Sequence, residues 1–320
     1  PAAVDYIDQI APWSPGTSME IDQATWRSLE ITRTIRSGQR DGSLFDIIDR
    51  TVTSMGSRQL GAWLLRPLIC KDFIIDRQNA IEELVLSESR RRNLRNQLKG
   101  IYDIQRLLSR LNSGRATPRD LGSIRKTLAN FPEIKTRLAN CGAALLQKIE
   151  VDLDPCPKLF QQLEAGLEDS CPLSAKEGGY IRAGFSPELD EYRKLAAGGK
   201  QWIAQYQQRI SEETGIPSIK VGFNKVFGYY LEVTHAHRDK LPDTFIRKQT
   251  LKNAERFITP ELKEYEDKVI SADDRAKSLE YETFCELRNA VAEYLPRLKA
   301  NAELIAHLDA IAALAELATT

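Results

Sequence analysis

At 320 residues and 42% hydrophobic, the chain is long enough to bury a substantial core and, on length alone, to form two domains. Its 45 basic and 45 acidic residues cancel, so any charged surface must be local, and no segment approaches the apolar run needed to cross a bilayer. Five cysteines, Cys70, Cys141, Cys156, Cys171 and Cys285, are widely spaced and form no Cys-x-x-Cys pair, which fits small buried hydrophobes in a reducing cytosol rather than a disulfide framework.

Pro1 to Ile10 carries Asp5 and Asp8 and does not read as a signal peptide; Pro1 in place of Met reads as a chain cut from a longer one. The first fifty residues are a lead-in punctuated by Pro12, Pro15, Gly16, Gly38 and Gly42, with a short apolar segment at Ala24 to Ile31. Ser43, with Asp46 three residues on, opens the helical part as an approximate capping box. Helices are expected at Ser57 to Leu65, Phe73 to Leu86, Arg90 to Leu98, Ile101 to Leu111 and Leu121 to Leu128. Thr117-Pro118-Arg119-Asp120 is a helix start with a threonine cap, a first-turn proline and an acid. Pro132, Gly142, Pro155, Pro157 and Pro172 then mark shorter helices, and Gly178-Gly179 and Gly184 a loop.

Two long helices follow. The first starts at Ser186-Pro187-Glu188, carries Leu189, Tyr192, Leu195, Trp202, Tyr206 and Ile210 on one face, and stops at Gly215; Gly198-Gly199 marks the place for a kink or break. The second runs from Glu261 to about Tyr294, roughly 50 Å, with a coiled-coil seam of Leu262, Tyr265, Val269, Ala272, Ala276 and Leu279. After Pro296, Leu298 to Leu317 reads as a buried amphipathic closing helix.

Between the long helices, Gly215 to Glu266 changes to a period of two. Ile219, Val221 and Phe223 alternate with Lys220 and Gly222, and Tyr229, Leu231 and Val233 alternate with Tyr230, Glu232 and Thr234, a hairpin pattern. Extended segments at Thr244 to Leu251 and Ala254 to Thr259 complete a small sheet, and Pro260 opens the next helix. From Lys220 to Arg256 there are eight basic residues (Lys220, Lys225, Arg238, Lys240, Arg247, Lys248, Lys252, Arg256) against four acidic (Glu232, Asp239, Asp243, Glu255), a positive island suited to phosphate oxygens. The order predicts a helical body, a two-helix stalk and a basic tip.

Other patterns carry less. His235-Ala236-His237 on a strand would aim two imidazoles to one face, but no third ligand is near and a polar strand end is the simpler reading. Tyr229 and Tyr230 are too few for a base-stacking groove, and Arg90-Arg91-Arg92 with Arg95 reads as an exposed helix face. No histidine or serine constellation nominates a nucleophile or base.

Val221 to Lys268 contains GFN-x-V-x-GYY followed by RKQTLKNAERF-x-x-PELKEYE, and in this it resembles the clamp segment of the MutS family of DNA mismatch-repair proteins. SLFDIIDRTVTSMGSRQLGAWLLRPL (Ser43 to Leu68) and DIQRLLSRLNSGRATPRDL (Asp103 to Leu121) are similar to that family's core, and MEIDQATWRSLEI (Met19 to Ile31) to the lead into it. The resemblance covers almost the whole chain but only the middle of such a protein. It implies a mainly α fold: a helical core with two long antiparallel lever helices and a small inserted β-sheet clamp at their tip. The segments implied are 1–214, core and outgoing lever; 215–265, clamp; and 266–320, returning lever and closing helix.

The resemblance further implies that the clamp holds double-stranded DNA through its phosphates without reading sequence. Asn224, Lys225, Arg247, Lys248, Gln249, Thr250, Lys252 and Asn253 match the motif and have suitable chemistry for that contact. ATP and Mg belong to the full-length family. Here no Gly-x4-Gly-Lys-Ser/Thr loop occurs, since Gln201 follows Gly199-Lys200 and Lys194 stands at the first glycine position, so no enzymatic activity and no cofactor are expected of this segment. Phe131-Pro132-Glu133 and Phe284-Cys285-Glu286 match a mismatch-reading Phe-x-Glu in letters only, because each lies in a helical segment. A homodimer in the full-length context, a monomeric fragment, a MutL-type partner and a bacterial cytoplasmic, nucleoid-associated location complete what the resemblance implies. The alternative is a structural lever module that transmits motion without holding DNA.

Overall fold

The computed structural model describes residues 18–224 and 228–320, without the side chains of 199–201, 238, 239 and 270. Pro12, Pro15, Gly16 and Lys225 lie outside the described residues. The described chain is mainly helical with one small antiparallel sheet, the coarse class that the periodicities predict. Its helices are α1 (Gln23–Ser28), α2 (Leu44–Ile48), α3 (Ser54–Leu65), α4 (Lys71–Leu86), α5 (Glu88–Leu98), α6 (Ile104–Asn112), α7 (Pro118–Leu138), α8 (Ala144–Asp152), α9 (Pro157–Gly166), α10 (Pro187–Thr214), α11 (Pro260–Glu293) and α12 (Leu295–Leu317). The strands β1 (Lys220–Asn224), β2 (Gly228–Thr234), β3 (Ile246–Thr250) and β4 (Ala254–Ile258) all fall between α10 and α11. Two compact units result, one of residues up to Tyr180 with Cys285–Thr320, the other Ile181–Phe284.

In the first unit, helix starts follow their caps. Ser43 Oγ accepts from the Asp46 N–H (3.3 Å), and Thr117 and Asp120 form a reciprocal capping box. Pro132 does not end a helix as expected but sits inside α7. A mid-helix proline costs about 3 kcal/mol, and burial of Leu128, Phe131, Ile134 and Leu138 along one α7 face, each at most 2% exposed, outweighs it.

The closing helix α12 is also more than amphipathic. Its six successive residues Leu308 to Ala313 are all fully buried, because α3, α4, α5, α6 and α8 pack around it. A buried acid locks one of these contacts. Asp309 accepts from the Thr53 N–H and hydroxyl (both 2.7 Å) and from the Val52 N–H (3.1 Å), at the N-terminus of α3. Gly56 makes room for it: a Cβ there would lie 2.2 Å from the Asp309 carboxylate.

The arginine run reads differently from expectation. Only Arg92 is an exposed helix-face residue; Arg91 is 6% exposed, pairs with Glu316 (2.9 Å) and donates to the Leu84 carbonyl (2.9 Å) at the end of α4. Arg90 pairs with Glu83 (2.8 Å), and Arg95 donates to the Arg50 carbonyl (2.7 Å). The Leu84 carbonyl, in the last turn of α4, draws Arg91 in. Cys141 and Cys156 are buried thiols, each pushed up to about 11 by burial, and all five cysteines are free.

Helix α8 is held at both ends by its neighbours. Glu83 on α4 accepts from the N–H groups of Gly142 (3.0 Å) and Ala143 (2.7 Å), while Lys135 on α7 donates to the carbonyls of Leu153 (2.8 Å) and Glu150. Each charge opposes the helix dipole at its end. Burial pushes the Glu83 carboxyl up, but the Ala143 and Gly142 donors and the charge of Arg90 outweigh it and hold it below its ordinary 4.5. Replacing it by glutamine (E83Q) is therefore expected to cost about 1–2 kcal/mol at neutral pH. The wild-type advantage is present above the unfolded carboxyl pKa and is lost as pH falls through the lower folded one. Melting curves of the two proteins should stay apart at neutral pH and converge only as pH falls below about 4.5, through the lower folded range; a constant gap would refute the assignment.

In the second unit, α10 starts at Ser186, whose Oγ accepts from the Leu189 N–H (3.4 Å), and continues unbroken through Gly198-Gly199 to Gly215. It runs antiparallel to α11. Tyr192 and Arg193 meet Arg275 and Glu280, Trp202 stacks on Tyr265, and Tyr206 and Arg209 meet Thr259 and Glu261, so numbers rise on one helix as they fall on the other. The expected seam is half-buried or buried at all six positions, Leu262, Tyr265, Val269, Ala272, Ala276 and Leu279. On α10, however, Leu195 is 60% exposed.

Candidate nucleic-acid interface

The sheet has the order β1-β2-β4-β3, antiparallel throughout. Alternation places Leu231 and Val233 of β2 and Phe257 of β4 on one face, packed with Tyr206 and Ile210 of α10, Ile216, Ile219 and Leu262 of α11. Trp202 lies between Tyr206 (4.8 Å) and Tyr265 (3.6 Å), stacked on both, and burial pushes the Tyr206 phenol up. Phe223, expected in the inward set, is 56% exposed. It sits two residues past Val221, the β1 side chain packed on that core, and meets Tyr229 edge-on at 5.1 Å.

The hairpin is tied to α11 by a buried acid. Glu266, 4% exposed, accepts from the Tyr229 N–H (3.1 Å) and pairs with Lys263 (3.3 Å). Gly228, at φ +76°, lies against that carboxylate. On the other face Arg256 covers Tyr230 at 4.3 Å, donates from Nε to Glu232 (3.1 Å) and from Nη1 to the Gln249 side-chain oxygen (3.0 Å), while Tyr230 packs on Gly222. Neither tyrosine is therefore a bare stacking platform.

The edge strand β3 carries the exposed basic groups. Its pairing with β4 shifts between Arg247 and Gln249, which leaves Lys248 as the extra residue of a bulge. The Leu251 N–H donates to the Ala254 carbonyl (2.8 Å), so that Lys252 and Asn253 form the tip of the β3–β4 turn. Lys248, Thr250, Lys252 and Asn253 are all exposed along this one edge. Arg247 instead pairs with the buried Glu255 (3.5 Å), and Gln249 is engaged by Arg256. Asn224 ends β1, the opposite edge strand, and is half-buried. Of the eight residues singled out in the sequence, the structure thus brings four together on one edge, ties two into the sheet, sets one on the other edge, and leaves Lys225 outside the described residues.

The paired histidines do not stand on a strand. His235–Lys240 is a short 3₁₀ segment, because β2 leaves the sheet after its last pair, Thr234 with Ala254. Among the described residues no group of three or more His, Cys, Asp and Glu could hold a metal. His235 is used otherwise: its Nε2 lies 3.0 Å from the Leu251 carbonyl and its Nδ1 3.9 Å from Glu255. This contact and that of Glu266 have no local sequence signal, since both depend on chain closure over 16 and 37 residues. Phe131 and Phe284, in the Phe-x-Glu look-alikes, are 0% and 2% exposed, in α7 and α11.

The sequence family described as MutS domain III matches residues 24–315 of this chain. The chain belongs to the MutS family. The DNA mismatch repair protein MutS of Rhodopirellula baltica is 51% identical over 316 residues, 99% of this chain and 36% of that protein. Those of Salinibacter ruber and Symbiobacterium thermophilum are each 44% identical over 99% of this chain, which covers 35% and 36% of them. The chain therefore spans about a third of the length of the curated MutS relatives it matches. The matched range of MutS domain III takes in both long helices and the whole sheet. No helix among the described residues is long and apolar enough to cross a membrane.

Proposed function

We propose that this part of a MutS protein holds double-stranded DNA by its phosphate backbone, without reading base sequence, along the β3 edge and the β3–β4 turn. One observation carries the reading: Lys248, Thr250, Lys252 and Asn253 are exposed side by side while Arg247 and Arg256 are tied to acids within the sheet. Lysines that have no ion pair among the described residues are available to neutralise phosphates and release counterions; Thr and Asn add directional hydrogen bonds. The relatives' name as DNA mismatch repair proteins supports the choice of DNA.

In this reading residues 215–265 are the clamp, and α10 and α11 are levers that couple it to the rest of a longer protein. The segment itself does no chemistry. ATP binding and hydrolysis with Mg and the principal dimer contacts are assigned to the ATPase domain of the longer protein, a MutL-type partner to the longer protein as a whole, and the whole to the bacterial cytoplasm at the nucleoid.

Duplex binding by fluorescence anisotropy, on matched and mismatched DNA across a salt series, tests it. Equal weak binding to both duplexes, with a log–log salt slope between about −2 and −4, is expected for roughly two to four neutralised phosphates. No binding at low salt would favour a lever module that transmits motion without touching DNA.

A further inference from the structure

We propose that His235 is a positioning residue that pins the Lys252–Asn253 turn in the shape that receives a DNA phosphate; the proposal deepens the phosphate-clamp reading and rests on it. His235 follows directly on β2, while Lys252 and Asn253 come just before β4, at the tip of the β3–β4 turn. Its ring bridges that gap. Nε2 lies 3.0 Å from the Leu251 carbonyl, which can only accept, so this nitrogen carries a proton and donates it. Nδ1 faces Glu255 at 3.9 Å, and the same carboxylate takes Arg247 at 3.5 Å.

The turn therefore has two supports. One is its own closing bond, from the Leu251 N–H to the Ala254 carbonyl (2.8 Å). The other is the imidazole, which holds the carbonyl of the same residue from the side of β2. A two-residue tip on an edge strand would otherwise sample several backbone conformations, and ordering it on contact with phosphate would weaken binding. With Leu251 fixed at both its N–H and its carbonyl, Lys252 and Asn253 are presented in one geometry before DNA arrives. His235 itself is spent on the protein, not on phosphate.

A direct phosphate ligand and a positioning residue leave different marks. Removing a ligand lowers the salt slope by about 0.9, whereas removing a support lowers affinity at every salt concentration and leaves the slope unchanged. H235A, H235Q and K252A in the full 320-residue chain provide the comparison, with amide hydrogen exchange read at Leu251 and melting temperature as a check on folding. H235A is expected to speed exchange of the Leu251 N–H by about tenfold and to weaken duplex binding by about three- to tenfold with an unchanged slope. H235Q, whose amide can donate to the same carbonyl, should restore both. K252A should lower the slope.

Unchanged exchange in H235A overturns the pin. Faster exchange with unchanged affinity overturns its role in binding, and a slope that falls as in K252A makes His235 a phosphate ligand instead. Absence of DNA binding by the wild-type chain overturns the clamp reading and the purpose assigned to the pin, while exchange still reports whether the pin exists.

Discussion

Reversing both exposed lysines (K248E/K252E) is expected to reduce duplex affinity at least about 30-fold at moderate salt and to leave the melting temperature unchanged. The size follows from two effects at one place: two counterion-releasing contacts are lost, and two negative charges are set against the phosphates. Stability is expected to hold because neither lysine has an ion pair among the described residues. Lys248 is the extra residue of the β3 bulge and Lys252 stands at the turn tip, both exposed. The same substitution at Arg247 or Arg256 would be a poor test. It would strand the buried Glu255, or release Glu232 and uncover Tyr230, so that a loss of binding could come from a loosened sheet. Anisotropy and thermal melts on the same preparations check the prediction. Affinity within about threefold of wild type would remove the β3 edge from the interface and leave the scaffold reading standing.

What the sequence made legible is what local physics decides. Thr117 with Asp120, Ser186 with Pro187, and Pro260 each begin a helix where they should, because a cap is satisfied by residues one turn away. The two-residue period from Ile219 to Val233 located a sheet for the same reason, and the order of elements placed it between two long helices. What was not legible depends on the far partner. Pro132 passes inside α7 because buried neighbours outweigh its missing N–H, Arg91 is buried because α4 offers carbonyls and α12 offers Glu316, and α12 is covered all round because five other helices meet there. At the candidate interface, charge counting located the basic insert but could not separate its members. Arg247, Gln249 and Arg256 have the same phosphate-seeking chemistry as Lys248 and Lys252, and only the register of β3 against β4 shows which of them face partners within the sheet.

That register itself depends on the β1–β2 hairpin staying seated, and Gly228→Ala is expected to unseat it, at about 3–5 kcal/mol to this unit. Two causes combine. At φ +76° an L side chain adds roughly 1–2 kcal/mol of backbone strain. A Cβ would also lie 2.0 Å from Glu266 Oε1 and 2.2 Å from Oε2, closer than any real contact. The carboxylate cannot simply swing away, since it is 4% exposed, accepts from the Tyr229 N–H and holds Lys263. Displacing it leaves a buried N–H without an acceptor. The two causes separate in a double-mutant cycle: with Glu266→Ala already present, the steric part vanishes and only the strain remains, so the second substitution should cost far less than the first did alone. Chemical denaturation followed by fluorescence in a background where Trp13, Trp26 and Trp63 are replaced by phenylalanine, leaving Trp202 stacked on Tyr265 one residue before Glu266, reads the unit directly. Additive costs across the cycle would mean that the glycine serves only its backbone angle, and that Glu266 is not what fixes the hairpin on α11.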